Sequence, residues 1–391
     1  MRYLPNALDR CHSILQLREL ARRRLPRPIF DYLDGAAETE VTARRNTNAF
    51  DCDQLIPKCL VNVSSVNTAT EILGQRIEWP VFCSPTGASR LYHPEGELAV
   101  ARAAAHAATY YSLSVASTHT LEAVAAASQG PKMFQILLFK DRALTRELIE
   151  RCKAAGYRAL CLTVDAALRG KRERELSSGM GIPLNLSLAS RVRFALRPAW
   201  FVGTVRTGPL TMANLEPRSG RQGLAAVSQY LGQQLDASVS WTDVAELIRQ
   251  WNGPFAIKGI LSVDDARRAH GIGATAIIVS NHGGRQLDGA AAPIDVLPEI
   301  AAAVGDRVEV ILDGGIRRGV HVLKALAHGA RACSIGRPYL FGLAAAGEAG
   351  VTKALGILRA ELVLAMQLCG CPDVRTIDAS LVRRMWPPAA G

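Results

Sequence analysis

Along this chain, short runs of consecutive apolar residues alternate with longer stretches in which alanine and leucine recur at helical spacing. The runs fall at Val81–Ser84, Tyr110–Val115, Lys132–Leu137, Ala159–Thr163, Phe255–Lys258, Ala276–Ser280, Val308–Leu312 and Ala332–Ile335. Unbroken apolar runs of this length suit strands of a parallel sheet covered on both faces. The stretches between them predict helices at Leu98–Ala108, Thr120–Ala127, Arg142–Ala155, Val263–His270, Pro293–Val304 and His321–His328. Eight strand–helix units in series predict an α/β protein built as a single (β/α)8 barrel over residues 1–391. Residues 1–75 precede the first strand and read as mostly helical, at Ile14–Arg24 and Arg27–Asp34. The interval Gly170–Trp241 exceeds one strand-to-helix connection, so a long insertion is expected after the fourth strand, at about 176–240.

Each predicted strand ends in a polar group. Ser84-Pro85-Thr86, Ser114, Gln135, Thr163 with Asp165, Lys258, Ser280 with His282, Asp313, and Gly336-Arg337 all fall at C-terminal strand ends. In this fold that rim is where active sites are built. One polar strand end would be noise, whereas eight of eight are hard to explain by packing alone. Asp313-Gly314-Gly315 after the seventh strand and Gly336-Arg337-Pro338 after the eighth occupy the usual phosphate position. Glycine amides there can approach a phosphate, and Arg317 or Arg337 can neutralise it. A phosphorylated ligand or cofactor is therefore expected.

The densest chemistry lies in Ala276–Asp288, AIIVSNHGGRQLD. A base (His282) and a fixed cation (Arg285), joined by two glycines, are parts of an active-site loop. A polar surface loop would also read this way, and the other seven strand ends favour the functional reading.

Composition narrows the classes. No apolar run reaches the roughly 18 residues of a membrane span, and the N-terminus lacks the apolar core of a signal peptide. Of nine scattered cysteines only Cys369 and Cys371 stand close together, and with no second pair or histidine cluster nearby they do not read as a metal site and fit reduced thiols in the cytoplasm. The net charge of +11 is compatible with anionic partners, but no nucleic-acid-binding signature accompanies it.

SNHGGRQLDG, TVD…RGKRERE, IKG at Ile257–Gly259, LDGGIRRG, IGRPYLFGLAAAGEAGV and the N-terminal IFDYLDGAAETEVTARRNTNAF together resemble the FMN-dependent 2-hydroxy-acid dehydrogenases and oxidases, the family of glycolate oxidase, L-lactate dehydrogenase and mandelate dehydrogenase. The likeness runs from about Leu17 to Cys371. It implies an FMN-bearing barrel that oxidises an (S)-2-hydroxy acid to the 2-oxo acid, with a quinone, a cytochrome or O2 as electron acceptor. It also implies a homo-oligomer, with tetramers common in the family. By resemblance, His282 is the base, Asp165 its partner, and Arg285 and Arg172 the clamp on the substrate carboxylate, with the Tyr32 hydroxyl nearby. Lys258, Ser114, Gln135, Thr163 and Pro85-Thr86-Gly87 would meet the flavin ring. Ser280 would join them or reach the ribityl chain. Asp313 and Arg317 would bind the ribityl-phosphate portion, with Gly314, Gly315, Gly336 and Arg337 around the phosphate.

Two positions depart from the family. Leu137 stands where a substrate-bonding tyrosine is usual, and Ala116 where glycolate oxidase has a tryptophan. Both changes enlarge and de-polarise the pocket, so a bulky or aromatic 2-hydroxy acid is expected over glycolate. Within the insertion, Arg191–Leu210 interleaves arginines with Phe194, Leu196, Trp200 and Phe201, a composition suited to a peripheral anchor on an anionic membrane. At Arg197-Pro198-Ala199-Trp200 it loosely resembles the membrane-attaching segment of bacterial mandelate and lactate dehydrogenases, which implies the inner face of the cell membrane. A lid or an oligomer contact is the alternative for this stretch. Competing readings of the whole chain are an FMN enzyme for a larger, non-standard substrate, which the two arginines disfavour, and a non-catalytic basic membrane-binding barrel, which would leave His282 and Asp165 without a purpose.

Overall fold

The computed structural model describes residues 5–180, 194 and 197–385. Eight parallel strands close into a barrel in chain order: β1 (Val81–Cys83), β2 (Tyr111–Ser114), β3 (Lys132–Ile136), β4 (Ala159–Thr163), β5 (Phe255–Ile260), β6 (Ala276–Val279), β7 (Glu309–Asp313) and β8 (Ala332–Ile335). β8 returns to β1 with Ser334 opposite Phe82 and closes the ring. The predicted strands thus lie where the apolar runs stand: β4 and β8 coincide with their runs, and the other ends shift by at most two residues. The largest shift is in β5, which runs on past Lys258 through an irregularity at Gly259.

Closure sorts the strand residues by parity. Phe82, Met133, Ala159, Cys161, Ala256, Ala276, Ile278, Ile311 and Ala332 form an inner cluster, together with Ile72, Leu73 and Ile77 of the hairpin Thr70–Ile77. Their strand neighbours, such as Val81, Phe134, Leu160, Ile257 and Leu312, face outward into the layer of surrounding helices. Because a strand repeats every two residues, the next inward position after each inner residue falls at the strand's C-terminal end. Those positions are Ser84, Ser114, Gln135, Thr163, Lys258, Ser280, Asp313 and Ser334. At seven strands these are the polar ends named from the sequence, and at the eighth the inward residue is Ser334 rather than Gly336-Arg337, so one layer of the barrel interior is polar.

The helices Gly96–His106, Leu121–Ala126, Arg142–Ala154, Val263–Gly271, Pro293–Val304 and Gly319–Ala327 lie within a few residues of their predicted positions. A further helix, Trp241–Trp251, leads into β5. Ser240 and Asp243 cap it reciprocally, a signal that the sequence carried. Within the insertion, Glu173–Ser178, Pro198–Arg206, Glu216–Ser219 and Leu224–Gln234 are helical. Residues 191–193 and 195–196 of the proposed anchor, Leu196 among them, lie outside the described residues.

The N-terminal helices are structural parts of the rim. Ile14–Arg24 packs on the last helix, Arg27–Asp34 on Glu173–Ser178, and Val41–Asn48 on the His282 loop. Asp53–Leu55 pairs antiparallel with Val382–Arg384, which ties the two ends of the chain together. All nine cysteines are free thiols, and eight are buried.

The last helix, Arg337–Leu368, is broken at Ala346-Gly347. Its halves meet where Gly342 faces Gly350, and a Cβ on Gly342 would lie 2.2 Å from the Gly350 carbonyl oxygen. Gly342 and Gly350 of FGLAAAGEAG thus allow a backbone contact, and Gly347 (φ 59°) makes the break between them. Gly342→Ala is expected to destabilise the protein by about 1–3 kcal/mol through overpacking. Thermal denaturation should show a drop of several degrees, and an unchanged midpoint would refute the contact.

Candidate active site

The floor of the site is a buried ion pair. Lys258 Nζ lies 2.9 Å from Asp313 Oδ2 and donates to Ser280 Oγ at 2.8 Å. Asp313 accepts from Ser280 (2.7 Å), Ser84 (2.8 Å) and Ser334 (2.6 Å), which with Lys258 fills its acceptor positions. Burial works against its charge, but Lys258 and the hydroxyls hold its pKa down at about 2. Burial likewise opposes the Lys258 charge, and Asp313 more than restores it. Ser280, expected at the cofactor, departs from that reading. It is fully buried behind the pair and does not line the cavity, because its inward position on β6 points it at Asp313. Ser114 donates to Gln135 at 2.9 Å, and both, with Thr163 and Pro85-Thr86-Gly87, line the cavity above this floor.

His282 follows β6 in left-handed backbone (φ 58°), a conformation that costs a non-glycine residue energy and tends to persist at functional sites. Gly283 (φ 64°) and Gly284 (φ 74°) continue the turn. Gly284 also lets the loop touch the helix Val41–Asn48, since a Cβ there would lie 2.6 Å from the Ala43 nitrogen. His282 Nδ1 is 2.9 Å from Asp165 Oδ1. Asp165 is mostly buried; burial raises its pKa, while His282 and Lys258 lower it further, leaving it below the usual carboxylate range. The approach depends on the irregularity in β5. Gly259 (φ 114°) turns its missing side chain toward Asp165, where a Cβ would come within 2.8 Å.

The rest of the loop motif braces it. Gln286 donates to the carbonyls of Asp165 (2.9 Å) and Leu168 (2.8 Å). Asp288 accepts from the backbone of Val41 and Thr42 at the start of the helix Val41–Asn48, and Asn281 exchanges hydrogen bonds with Asn46 on that helix. Sequence reasoning assigned none of these three, although their place in SNHGGRQLD marked them.

Arg285 and Arg172 converge on one carboxylate that sequence reasoning missed, Glu175. This residue is buried, 2.8 Å from Arg285 Nη2, 3.5 Å from Arg172 Nη1 and 3.1 Å from Arg169 Nη2. Arg172 Nε donates to the Arg285 carbonyl, and Arg285 Nη1 donates to the carbonyls of Tyr32 and Gly35. The Arg285 guanidinium lies 5.2 Å from the centre of the Tyr32 ring. One carboxylate among three guanidinium groups leaves positive charge over. Burial, and then Arg285, push Arg172 down to about 10, so it stays charged at neutral pH and has reason to take an anion. The spacing Arg172-x-x-Glu175 at the start of a helix was the available signal.

At the far end of the cavity, Gly314, Gly315 and Gly336 lie beside Arg317 and Arg337. Neither arginine has a carboxylate partner among the described residues. Burial pushes Arg317 down to about 10, and burial with Arg285 and Arg317 pushes Arg337 down to about 9. Arg337 donates to the carbonyls of Gly283 and Gly35, while its Nε is buried without a partner. Gly336 opens the last helix, whose first amides point to the same corner. Two partly satisfied guanidiniums at a glycine-lined helix start are what a phosphate needs. The residues present therefore fit FMN. Arg317, Arg337 and the glycines would hold its phosphate, and Lys258, Gln135, Ser114, Thr163 and Pro85–Gly87 its ring. Asp313, expected at the ribityl chain, borders the cavity with its oxygens already engaged by protein donors.

The cavity measures about 700 Å³, within the range of small-molecule and cofactor sites. Away from the phosphate corner its lining includes an apolar group, Leu137, Ala116, Leu168, Met180, Met212, Leu224 and Leu231, several of them from the insertion, which also brings Ser228, Gln229 and Gln233. Met212 and the helix Leu224–Gln234 thus border the site. Among the described residues no group of three or more histidine, cysteine, aspartate or glutamate side chains is arranged to hold a metal.

A sequence model of the family described as FMN-dependent dehydrogenase matches residues 21–384. An L-lactate oxidase from Nostoc sp. is 44% identical over 95% of this chain and 97% of its own length. An L-lactate dehydrogenase from Caulobacter vibrioides is 42% identical, with 96% of this chain and 99% of that protein covered. Among solved structures, that of the monotopic membrane protein (S)-mandelate dehydrogenase superposes with a TM-score of 0.92 at 35% identity, covering 96% of this chain and 100% of the other.

If Arg317 and Arg337 bind the phosphate, Arg317→Met with Arg337→Met should yield folded protein with little flavin. Each lost charge-assisted contact is worth about 1.5–3 kcal/mol, so affinity for FMN should fall at least 100-fold. The ratio of flavin to protein absorbance after dialysis measures this, and full retention of flavin would remove the phosphate assignment.

Proposed function

The chain belongs to the FMN-dependent dehydrogenase family, and from that premise we propose that it oxidises (S)-2-hydroxy acids with a bulky, largely apolar side chain to the corresponding 2-oxo acids. The observation that carries this reading is the apolar share of the lining. Leu137, Ala116, Met180, Met212, Leu224 and Leu231 line the same cavity as His282, Arg285 and Arg172 and bring no charge to it. A glycolate-sized substrate would leave much of that surface unused.

The substrate carboxylate is held by Arg285 and Arg172, whose guanidiniums Glu175 fixes in place. With Nδ1 donating to Asp165, the His282 ring presents Nε2 as its free basic nitrogen. Nε2 takes a proton from the substrate as the alcohol becomes a carbonyl, and Asp165 stabilises the resulting imidazolium. Bound FMN supplies the acceptor for the electron pair. Met212, Leu224, Leu231 and Leu235 of the insertion cover part of the cavity with apolar surface.

Anaerobic stopped-flow reduction separates the substrate classes. Burying a phenyl ring against this lining should favour it by about 1.5–3 kcal/mol. The second-order rate of flavin bleaching should accordingly be roughly 10- to 100-fold higher for (S)-mandelate and phenyllactate than for glycolate. Equal or faster reduction by glycolate would overturn the bulky-substrate reading.

The insertion supports a second part of the proposal, attachment to an anionic membrane surface. On the helix Pro198–Arg206, Trp200 turns inward and donates to the Leu91 carbonyl at 2.7 Å. Phe201, Val202 and Val205 stand exposed beside the exposed Arg206. Apolar side chains next to a cation suit the boundary between headgroups and acyl chains. No helix among the described residues is long and apolar enough to cross a membrane. Co-sedimentation with vesicles containing an anionic lipid should capture the protein, weaken with salt, and fail for Phe201→Asp with Val205→Asp. Wild-type protein remaining in the supernatant at low salt would rule the anchor out.

A further inference from the structure

Tyr92 belongs to no motif discussed above, yet its side chain lines the active-site cavity. It follows a short turn, Ser89–Leu91, in the loop after β1, and only 5% of the residue is exposed. Its hydroxyl forms no hydrogen bond with any described residue, and it is not among the sealed, partnerless buried atoms. A buried phenol in that position opens on the cavity, which it shares with Tyr32, Arg172, Arg285 and His282. Leu137 at the end of β3 brings no donor to the same space.

The loop that carries Tyr92 is held from behind by the insertion. Trp200 Nε1 donates to the carbonyl of Leu91, and Arg90 donates to the carbonyls of Thr207, Gly208 and Pro209. On the inner side, the Ala88 amide donates to the Ala116 carbonyl at 3.0 Å. A residue clamped on both sides loses little entropy when its side chain engages a ligand. An unsatisfied donor in a low-dielectric pocket is costly, and a ligand that accepts its proton removes that cost.

We propose that Tyr92 is a substrate-binding residue whose phenol donates a hydrogen bond to the carboxylate gripped by Arg285 and Arg172. This inference rests on the hydroxy-acid reading of the site and adds a contact specific to it. Burial holds the Tyr92 phenol in its protonated form at neutral pH, so it is available as a donor. The insertion then contributes to substrate recognition indirectly, by holding the loop through Trp200 and Arg90.

Tyr92→Phe in the FMN-loaded enzyme tests the contact, since it removes one oxygen and keeps the ring. Titration of the oxidised flavin spectrum with phenylacetate, a carboxylate that cannot turn over, should give a Kd roughly tenfold or more above wild type. Benzyl alcohol, which lacks the carboxylate, should bind both proteins equally. In turnover with (S)-mandelate, KM should rise by a similar factor with kcat changed less. An unchanged phenylacetate Kd overturns the proposal, as do equal losses for phenylacetate and benzyl alcohol, which would report packing. Because phenylacetate binding needs no turnover, a wild-type enzyme that binds it but is not bleached by any hydroxy acid would count against the proposed reaction and leave the Tyr92 contact to be judged on the titration.

Discussion

Lys258 and Asp313 lie 2.9 Å apart at the top of the barrel interior, where neither has bulk water to solvate it. An isolated charge at either position would be expensive, and breaking a buried pair costs about 3–5 kcal/mol. The pair is tolerable because Ser84, Ser280 and Ser334, the inward residues of three other strands, satisfy the carboxylate. This arrangement requires a closed ring. It fixes the relative positions of β1, β5, β6, β7 and β8, and with them the loops that carry His282, Arg317 and Arg337.

From that floor outward, each charged group is placed by something that removes its alternatives. Asp165 reaches His282 because Gly259 leaves space for it. The His282 loop is pinned by Gln286 to the loop after β4, and by Asn281 and Asp288 to an N-terminal helix. Arg285 is threaded between Glu175 and the carbonyls of Tyr32 and Gly35. The N-terminal segment and the start of the insertion thus act as a collar around the rim. The chemistry belongs to the barrel, and its alignment belongs to the collar.

Charge at the rim is distributed unevenly, and the unevenness is informative. Asp313 balances Lys258, and Asp165 is ready to balance a protonated His282. Glu175 serves three arginines, and Arg317 and Arg337 have no acid of their own among the described residues. The deficit lies at two places in one cavity, as a cofactor phosphate and a substrate carboxylate would require. Apolar side chains of the insertion line part of the same cavity, and beside them each contact to an anion would gain strength from the lower dielectric.

The sequence alone determined the strand order, the barrel, and the rank of polar residues at the strand ends. These are local properties: apolar runs of fixed length, helical spacing between them, and a period of two that makes the last inward residue predictable from its neighbours. His282, Arg285, Lys258, Asp165 and the phosphate glycines were legible for that reason. What only the tertiary structure decided was which of these groups meet. Ser280 looked like a cofactor contact and proved to hold Lys258, because its direction depends on the closure of the ring. Glu175 is one of several charges in RGKRERE, and only folding sets it among three arginines. Tyr92 reached the cavity from a loop with no periodicity to announce it, and the helix Leu224–Gln234 of the insertion reached it through a docking that its own spacing does not specify. Local pattern follows from the backbone's own geometry, whereas pairing between distant loops follows from how the whole chain closes.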